Sequence, residues 1–270
     1  LRAGHILGPH HGDDNMNIAL RLSYLGTAYH GWQRQNNGVT VQQMIEEAVE
    51  KTCSVRAHVS GCGRTDAGVH AEGYVASVKM DCRIPMDRLP HALNARLPDD
   101  IVIHEANIVP DDFDARFSCI SKEYTYRIHN SATRDPFLKD RAYFYPQALD
   151  LDRMKRAAAH FVGVHDFSAV RSIGTPVRSP VREIYYLDVS RRGDIIEIKA
   201  CANGFLYNMV RAIAGTLVFC GCGKIEPDDI PAILESKDRE AAGPTAPACG
   251  LYMTALGYGM EKINVCSKQR

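Results

Sequence analysis

Gly61-Cys62-Gly63-Arg64-Thr65-Asp66-Ala67-Gly68-Val69-His70-Ala71 places three glycines within eight residues, around a single carboxylate, Asp66. Glycine permits positive φ and close backbone approach, so the segment reads as a tight loop rather than as strand. Two uses of such a loop stay open. It can be a turn in which Asp66 bonds its own backbone, or a surface shaped around a ligand with Arg64 beside Asp66. Either way it separates a short strand at residues 56–60 from an alternating strand at residues 74–80, and that separation decides the order of the first half.

Working outward, residues 17–25 alternate, with Ile18, Leu20, Leu22 and Tyr24 on one face of a half-buried strand. A loop rich in aromatic and polar groups follows. Thr40-Val41-Gln42-Gln43 is then a capping box opening a helix whose buried stripe is Val41, Met44, Ile45, Ala48, Val49 and Thr52. Downstream of the glycine loop come the strand at 74–80, a helix at 87–97 and a strand at 101–109. The order β-α-β-β-α-β is the split βαβ, or ferredoxin-like, arrangement.

That unit needs only about ninety residues, so the chain continues into a second one. Residues 113–118 read as the joint. Strands are expected at 122–129, 142–145, 181–189, 195–200 and 251–258, and helices at 151–161, 205–219 and 227–236. Arg191-Arg192-Gly193-Asp194 is a hairpin signal between two of the strands. The second half therefore resembles the first with elements added. The expected fold is α+β: two related ferredoxin-like halves joining antiparallel sheets, with helices on one face and the other face free to form a cleft. Residues 1–16 read as a tag-like extension, 17–112 as an N-terminal subdomain carrying the glycine loop, 113–262 as a C-terminal subdomain and 263–270 as a tail.

The 270 residues are 45% apolar and 24% charged, an ordinary globular composition. The longest apolar-rich segment, residues 205–222, is interrupted by Asn208 and Arg211, so no transmembrane helix is expected. A secretory signal is not evident, and a cytoplasmic location is the default. The nine cysteines are scattered without a Cys-x-x-Cys pair, and Cys220-Gly221-Cys222 has no nearby histidine to complete a zinc set. Reduced, mostly buried thiols are expected. Lys plus Arg and Asp plus Glu both number 32. A neutral chain does not bind nucleic acid through overall charge, so any such site must be local or assembled across subunits.

In the helix expected at 205–219, Arg211 falls almost opposite Phe205, Leu206, Met209 and Ile213. That helix is too apolar to lie on the surface, so a partly buried Arg needs an anion, and Asp66 is the candidate. Tyr124 and Tyr126 share a strand face. Such a pair is core in most proteins, though an aromatic sheet face also stacks unpaired bases.

Gly63-Arg64-Thr65-Asp66-Ala67-Gly68-Val69-His70-Ala71 resembles the signature of the TruA family of tRNA pseudouridine synthases. The resemblance continues in family order through Tyr29-His30-Gly31-Trp32-Gln33-Arg34-Gln35, Ala115-Arg116-Phe117-Ser118, Tyr124-Thr125-Tyr126 and His165-Asp166-Phe167. It ends with Asn203-Gly204-Phe205-Leu206-Tyr207-Asn208-Met209-Val210-Arg211, then Gly243-Pro244-Thr245-Ala246-Pro247 with Gly250-Leu251-Tyr252.

The resemblance implies a homodimeric isomerase that turns uridine into pseudouridine at positions 38, 39 and 40 of the tRNA anticodon stem-loop, with no redox cofactor or metal. By matching position Asp66 is the catalytic carboxylate. Arg64 holds the flipped nucleotide, Tyr124 stacks on the uracil and helps remove the C5 proton, and Arg211 pairs with Asp66. Arg171, Arg178, Arg182, Arg191 and Arg192 are candidates for phosphate contacts. Two other classes compete: a non-catalytic RNA-binding module built on split βαβ units, and a hydrolase using Asp66 as nucleophile or base. A metal-assisted hydrolase would want a second ligand, and His70, the one histidine in the loop, reads as structural.

Overall fold

The structure is a computed structural model that describes residues 15–172 and 177–259. The expected extension and tail lie outside that range, apart from Asn15 and Met16. The first half contains β1 (Met16–Tyr24), α1 (Val41–Cys53), β2 (Val59–Gly61), β3 (His70–Met80), α2 (Leu89–Asn94) and β4 (Ile101–Ile108). β1 lies between β4 and β3, and β2 pairs with the far edge of β3, so the spatial order is β4-β1-β3-β2. That is the ferredoxin-like order the element sequence predicts.

The second half runs β5 (Cys119–His129), β6 (Tyr143–Phe144), α3 (Leu151–Ala159), β7 (Gly163–Asp166), β8 (Val181–Arg192), β9 (Ile195–Ala202), α4 (Met209–Gly221), α5 (Ile230–Ser236) and β10 (Leu251–Tyr258). Its order β10-β5-β9-β8 repeats that of the first half, with β7 added at the edge. The halves meet where β10 pairs in parallel with β3, through Tyr252 opposite His70 and Met253 opposite Ala71. One ten-stranded sheet results.

Local chemistry explains the boundaries. Thr40 caps α1 by accepting from the Gln43 N–H, but the Gln43 side chain turns forward to Glu47 instead of closing the box. Asp150 caps α3 by accepting from the N–H groups of Asp152 and Arg153. The expected first turn of the helix at 205–219 is not helical. Asn208 adopts a left-handed conformation with φ 59°, and α4 starts only at Met209.

β3 starts at His70, four residues before the expected strand. The pairing shifts between Leu22 and Tyr24 of β1, opposite the segment from Tyr74 back to Ala71, so a bulge reverses the alternation there. Gly73 lies in that bulge, where a Cβ would stand 2.3 Å from the Thr254 carbonyl oxygen. β7 was not expected at all; four residues with Val164 as their one apolar side chain carry no strand period. β2 and α2 are shorter and slightly shifted from expectation.

Leu20 and Leu22 of β1, Tyr126 and Ile128 of β5 and Ile196 and Ile198 of β9 are fully buried beneath the helices. The opposite face carries the ion pairs Arg21–Glu105 and Arg127 with Glu72 and Glu197. The cleft was expected on this helix-free face, but it opens on the helix-bearing face, over the seam of the two halves. Tyr124, on the same face of β5 as Tyr126, and the first turn of α4 both line it. A shared sheet brings both helix layers to one side, and the gap between the layers is the concave place.

Candidate active site

The glycine loop is clamped from below by aromatic side chains. Trp32 stacks on Tyr74 with ring centroids 4.2 Å apart. The Tyr74 hydroxyl donates to the Gly63 carbonyl at 2.5 Å, the Trp32 backbone N–H donates to the Thr65 carbonyl at 3.1 Å, and Tyr24 and Thr65 hydroxyls lie 2.9 Å apart. His70 ends the loop, fully buried. The Gly26 N–H donates to its Nδ1 at 2.9 Å, while Nε2 faces the Cys249 carbonyl at 3.2 Å. Burial pushes its pKa down, so it is a neutral, Nε2-protonated strut with both nitrogens occupied. The structural reading of His70 therefore holds.

Asp66 emerges from this base into a cleft of about 460 Å³. Its side chain is one-third exposed. Loss of water raises its pKa, and the Arg211 guanidinium works against that rise. Arg211 Nη1 lies 3.5 Å from Asp66 Oδ2, an ion pair rather than a tight hydrogen bond. Its firmer bonds go elsewhere: Nε donates to the Ala246 carbonyl at 2.7 Å and Nη1 to Asn208 Oδ1 at 2.8 Å. The sequence-based pairing of Arg211 with Asp66 is present, but neutral oxygens do most of the holding.

The Ala246 carbonyl depends on residues 243–247 lying along α4. A Cβ at Gly215 would stand 1.7 Å from the Pro244 carbonyl oxygen, and the Gly243 N–H donates to Thr216 Oγ1 at 3.0 Å. Gly215→Ala is expected to force this strap off the helix at a cost of roughly 1–3 kcal/mol. Thermal denaturation of the variant should show a melting point several degrees lower, and turnover should fall as Arg211 loses its Ala246 anchor.

Tyr124 forms one wall. It is 8% exposed and meets Phe205 edge-to-face, with centroids 5.3 Å apart. Among the described residues its hydroxyl has no hydrogen-bond partner, which leaves it for a bound molecule. Burial pushes its pKa well above the usual phenol value, with the Asp66 carboxylate adding to the rise. At neutral pH it is a protonated phenol whose hydroxyl can donate a hydrogen bond.

Arg64 is exposed at the loop rim, and Arg171 and Arg182 line the opposite side. Arg64 and Arg171 have no ion-pair partner among the described residues, whereas Arg182 is partly buried and bonds the Ser179 and Val181 carbonyls. Arg178 is exposed and does not line the cleft. Arg191 and Arg192 stand at the far hairpin tip, where Arg191 bonds Asn130. These three lie outside the cleft.

Arg116 and Lys122 line the cleft and were not anticipated. Lys122 shares the strand face of Tyr124 and Tyr126, and a lone cation on an aromatic face was the available signal. Its Nζ donates to the Cys62 carbonyl at 2.5 Å, tying β5 of one half to the loop of the other. Among the described lining residues there are thus six cations, Arg64, Arg116, Lys122, Arg171, Arg182 and Arg211, and one carboxylate, Asp66. The neutral chain carries a strongly positive local site. No three His, Cys, Asp or Glu side chains among the described residues come together as a metal-holding group, and no helix is long and apolar enough to cross a membrane.

Two ferredoxin-like halves sharing one sheet, with a lone carboxylate in a cationic cleft at their seam, have the architecture of the pseudouridine synthase fold. The sequence model of the tRNA pseudouridine synthase family matches residues 22–118 and 157–259. The chain belongs to that family and is an isomerase. It is 46% identical over 242 residues to tRNA pseudouridine synthase A of Ruminiclostridium cellulolyticum, covering 89% of this chain and 99% of that one. The corresponding proteins of a Thermoanaerobacter species and of Geotalea daltonii are 44% and 43% identical, each over 90% of this chain and 99% of theirs.

Proposed function

We propose that this isomerase converts uridine to pseudouridine at positions 38 to 40 of the tRNA anticodon stem-loop, acting in the cytoplasm as a homodimer with Asp66 as its catalytic carboxylate. The observation that carries the reading is the single carboxylate among six cations, seated in a cleft with a free tyrosine hydroxyl on its wall. A binding module gains nothing from a half-buried anion facing phosphates.

The reaction breaks the N1–C1′ bond, turns the uracil and joins C5 to C1′. The C5 hydrogen leaves as a proton, and N1 ends with one, so electrons balance without a redox partner. Positive charge develops on the ribose as the bond breaks. A preorganised carboxylate beside C1′ stabilises it in a site with little water to compete. Addition to C1′ and assistance of an elimination both require Asp66 ionised, and Arg211 holds it in that state and in place.

A base in a stem must first be extruded, at a cost of a few kcal/mol. Arg64, at the rim with no ion-pair partner among the described residues, takes the vacated place in the stack. Tyr124 receives the face of the flipped uracil. Arg171 and Arg182 take phosphates, and Lys122 adds charge while bracing the loop. A tRNA laid across two copies of the chain reconciles a neutral protein with a polyanionic substrate.

Tritium release from tRNA carrying uracil labelled at C5 tests this reading directly. Release with recovery of pseudouridine at the three positions is the expected result. Binding without release would leave a binding module, and release of free uracil would indicate hydrolysis. Because the bond changes are redox-neutral and the proposed groups are side chains, turnover should survive exhaustive EDTA treatment once the tRNA is refolded with magnesium. A required tightly bound zinc or iron would count against the mechanism.

A further inference from the structure

Phe117 is 81% exposed, although an aromatic ring of that size is normally withdrawn from water. Nothing about it is loose. Asp114 Oδ1 accepts from the N–H groups of Arg116 and Phe117 at 2.8 and 2.9 Å, and the Ser118 N–H returns to the Asp114 carbonyl at 3.0 Å. Ala115 in the same turn is fully buried. Its N–H donates to Ser77 Oγ at 3.2 Å, and its carbonyl accepts from the Tyr258 hydroxyl at 2.8 Å. The turn is closed on itself and bolted to the sheet, so the ring is held outward by construction.

The surroundings of the ring are specific. Phe117 walls a side pocket of about 360 Å³ together with Arg116, Cys119, Lys122, Val181, Arg182, Asn203, Gly204 and Phe205. Arg116, Lys122, Arg182 and Phe205 also line the main cleft, so the pocket opens directly beside Asp66's chamber. Its described lining has three cations and no carboxylate. The Arg116 guanidinium sits 5.4 Å from the Phe117 ring centroid, which leaves the flat π-face backed by positive charge. An exposed aromatic ring beside three cations offers what a single unstacked base and its phosphate require.

We infer that Phe117 is a stacking platform for one unpaired nucleotide next to the target uridine, with Arg116 and Arg182 on its phosphate. The inference rests on the proposed RNA substrate and adds to it a second base subsite. Stacking there acts on bound substrate before and during the reaction alike, so it lowers KM and leaves kcat untouched.

The test uses the full-length enzyme, unmodified tRNA transcripts and the tritium-release assay. Phe117→Ala should raise KM about tenfold, within the range one stacked base is worth, with kcat within about twofold of the parent. Phe117→Trp should restore KM, whereas Phe117→Leu, which keeps apolar bulk but lacks a π-face, should not. Transcripts carrying 2-aminopurine at one nucleotide flanking the target should lose fluorescence on binding the parent enzyme and keep it with Phe117→Ala. Melting temperature and native mass should be unchanged in all three variants.

An unchanged KM in Phe117→Ala, full rescue by Phe117→Leu, or loss of the native assembly would overturn the inference while parent turnover upholds the substrate. Absence of tritium release by the parent enzyme would overturn both.

Discussion

Asp66→Ala is expected to give no detectable tritium release while tRNA binding holds or strengthens. The carboxylate is the one anion among the described residues lining the cleft, so its removal deletes the group proposed to meet charge at C1′. It also deletes the one repulsion toward phosphate in a site lined by six cations. A filter-binding or anisotropy titration run beside the activity assay separates the two effects. Retained turnover in purified Asp66→Ala would sink the mechanism, and a large loss of affinity would mean that Asp66 shapes the loop rather than the chemistry.

The same carboxylate has a stability signature whose sign follows from its raised pKa. A group that binds its proton more tightly when folded favours the fold below the ordinary carboxylate pKa, and that contribution is lost as pH rises through the folded-state value. At neutral pH ionised Asp66 therefore weakens the fold. Asp66→Asn should melt at a higher temperature than the parent at pH 7, with the difference shrinking in acid. Catalytic groups in dry clefts commonly carry such a cost.

Much of the architecture was legible in the sequence because its signals are local. Alternation in β1 and β5, the Thr40 cap and the glycine loop each depend on a few neighbouring residues. Element order alone then gave two ferredoxin-like halves. What escaped depends on distant partners. The start of β3 was hidden because the bulge at Gly73 breaks its period, and that bulge is set by pairing with β1 and by the approach of Thr254. The late start of α4 turns on one left-handed residue, Asn208. The side of the sheet that bears the cleft was misread because the seam between β3 and β10 joins segments some 180 residues apart.

The site divides in the same way. Asp66, Arg64, Tyr124 and Arg211 sit in motifs and converge on one cleft, as the resemblance implies. Arg178, Arg191 and Arg192 rest on charge alone and lie outside the cleft, because charge in a sequence does not say which face a side chain points from. Lys122 and Arg116 were given no place in the site because their roles are tertiary: one reaches across the seam to Cys62, and the other shares a turn with Phe117.

Arg211→Ala is expected to cut turnover by roughly a hundredfold or more, the scale of removing one preorganised electrostatic contact from a reacting centre. The guanidinium is held chiefly by neutral oxygens. Its Nε is fixed by the Ala246 carbonyl and its Nη1 by Asn208, so it is positioned without help from the carboxylate. The gap of 3.5 Å to Asp66 is close enough to favour the ionised form and long enough to leave the carboxylate free to meet the ribose. Without Arg211, burial acts on Asp66 unopposed and its pKa rises further. The acid limb of the rate profile reports that ionisation, so it should move to higher pH in Arg211→Ala, and part of the lost rate should return in alkaline buffer. Arg211→Lys should move the limb less and recover only part of the rate, because a point charge cannot reach Ala246, Asn208 and Asp66 together as the planar fork does. A purely structural role would lower the melting temperature and the rate at every pH alike. An unmoved acid limb in a folded Arg211→Ala enzyme would therefore refute the electrostatic pairing, whatever the size of the rate loss.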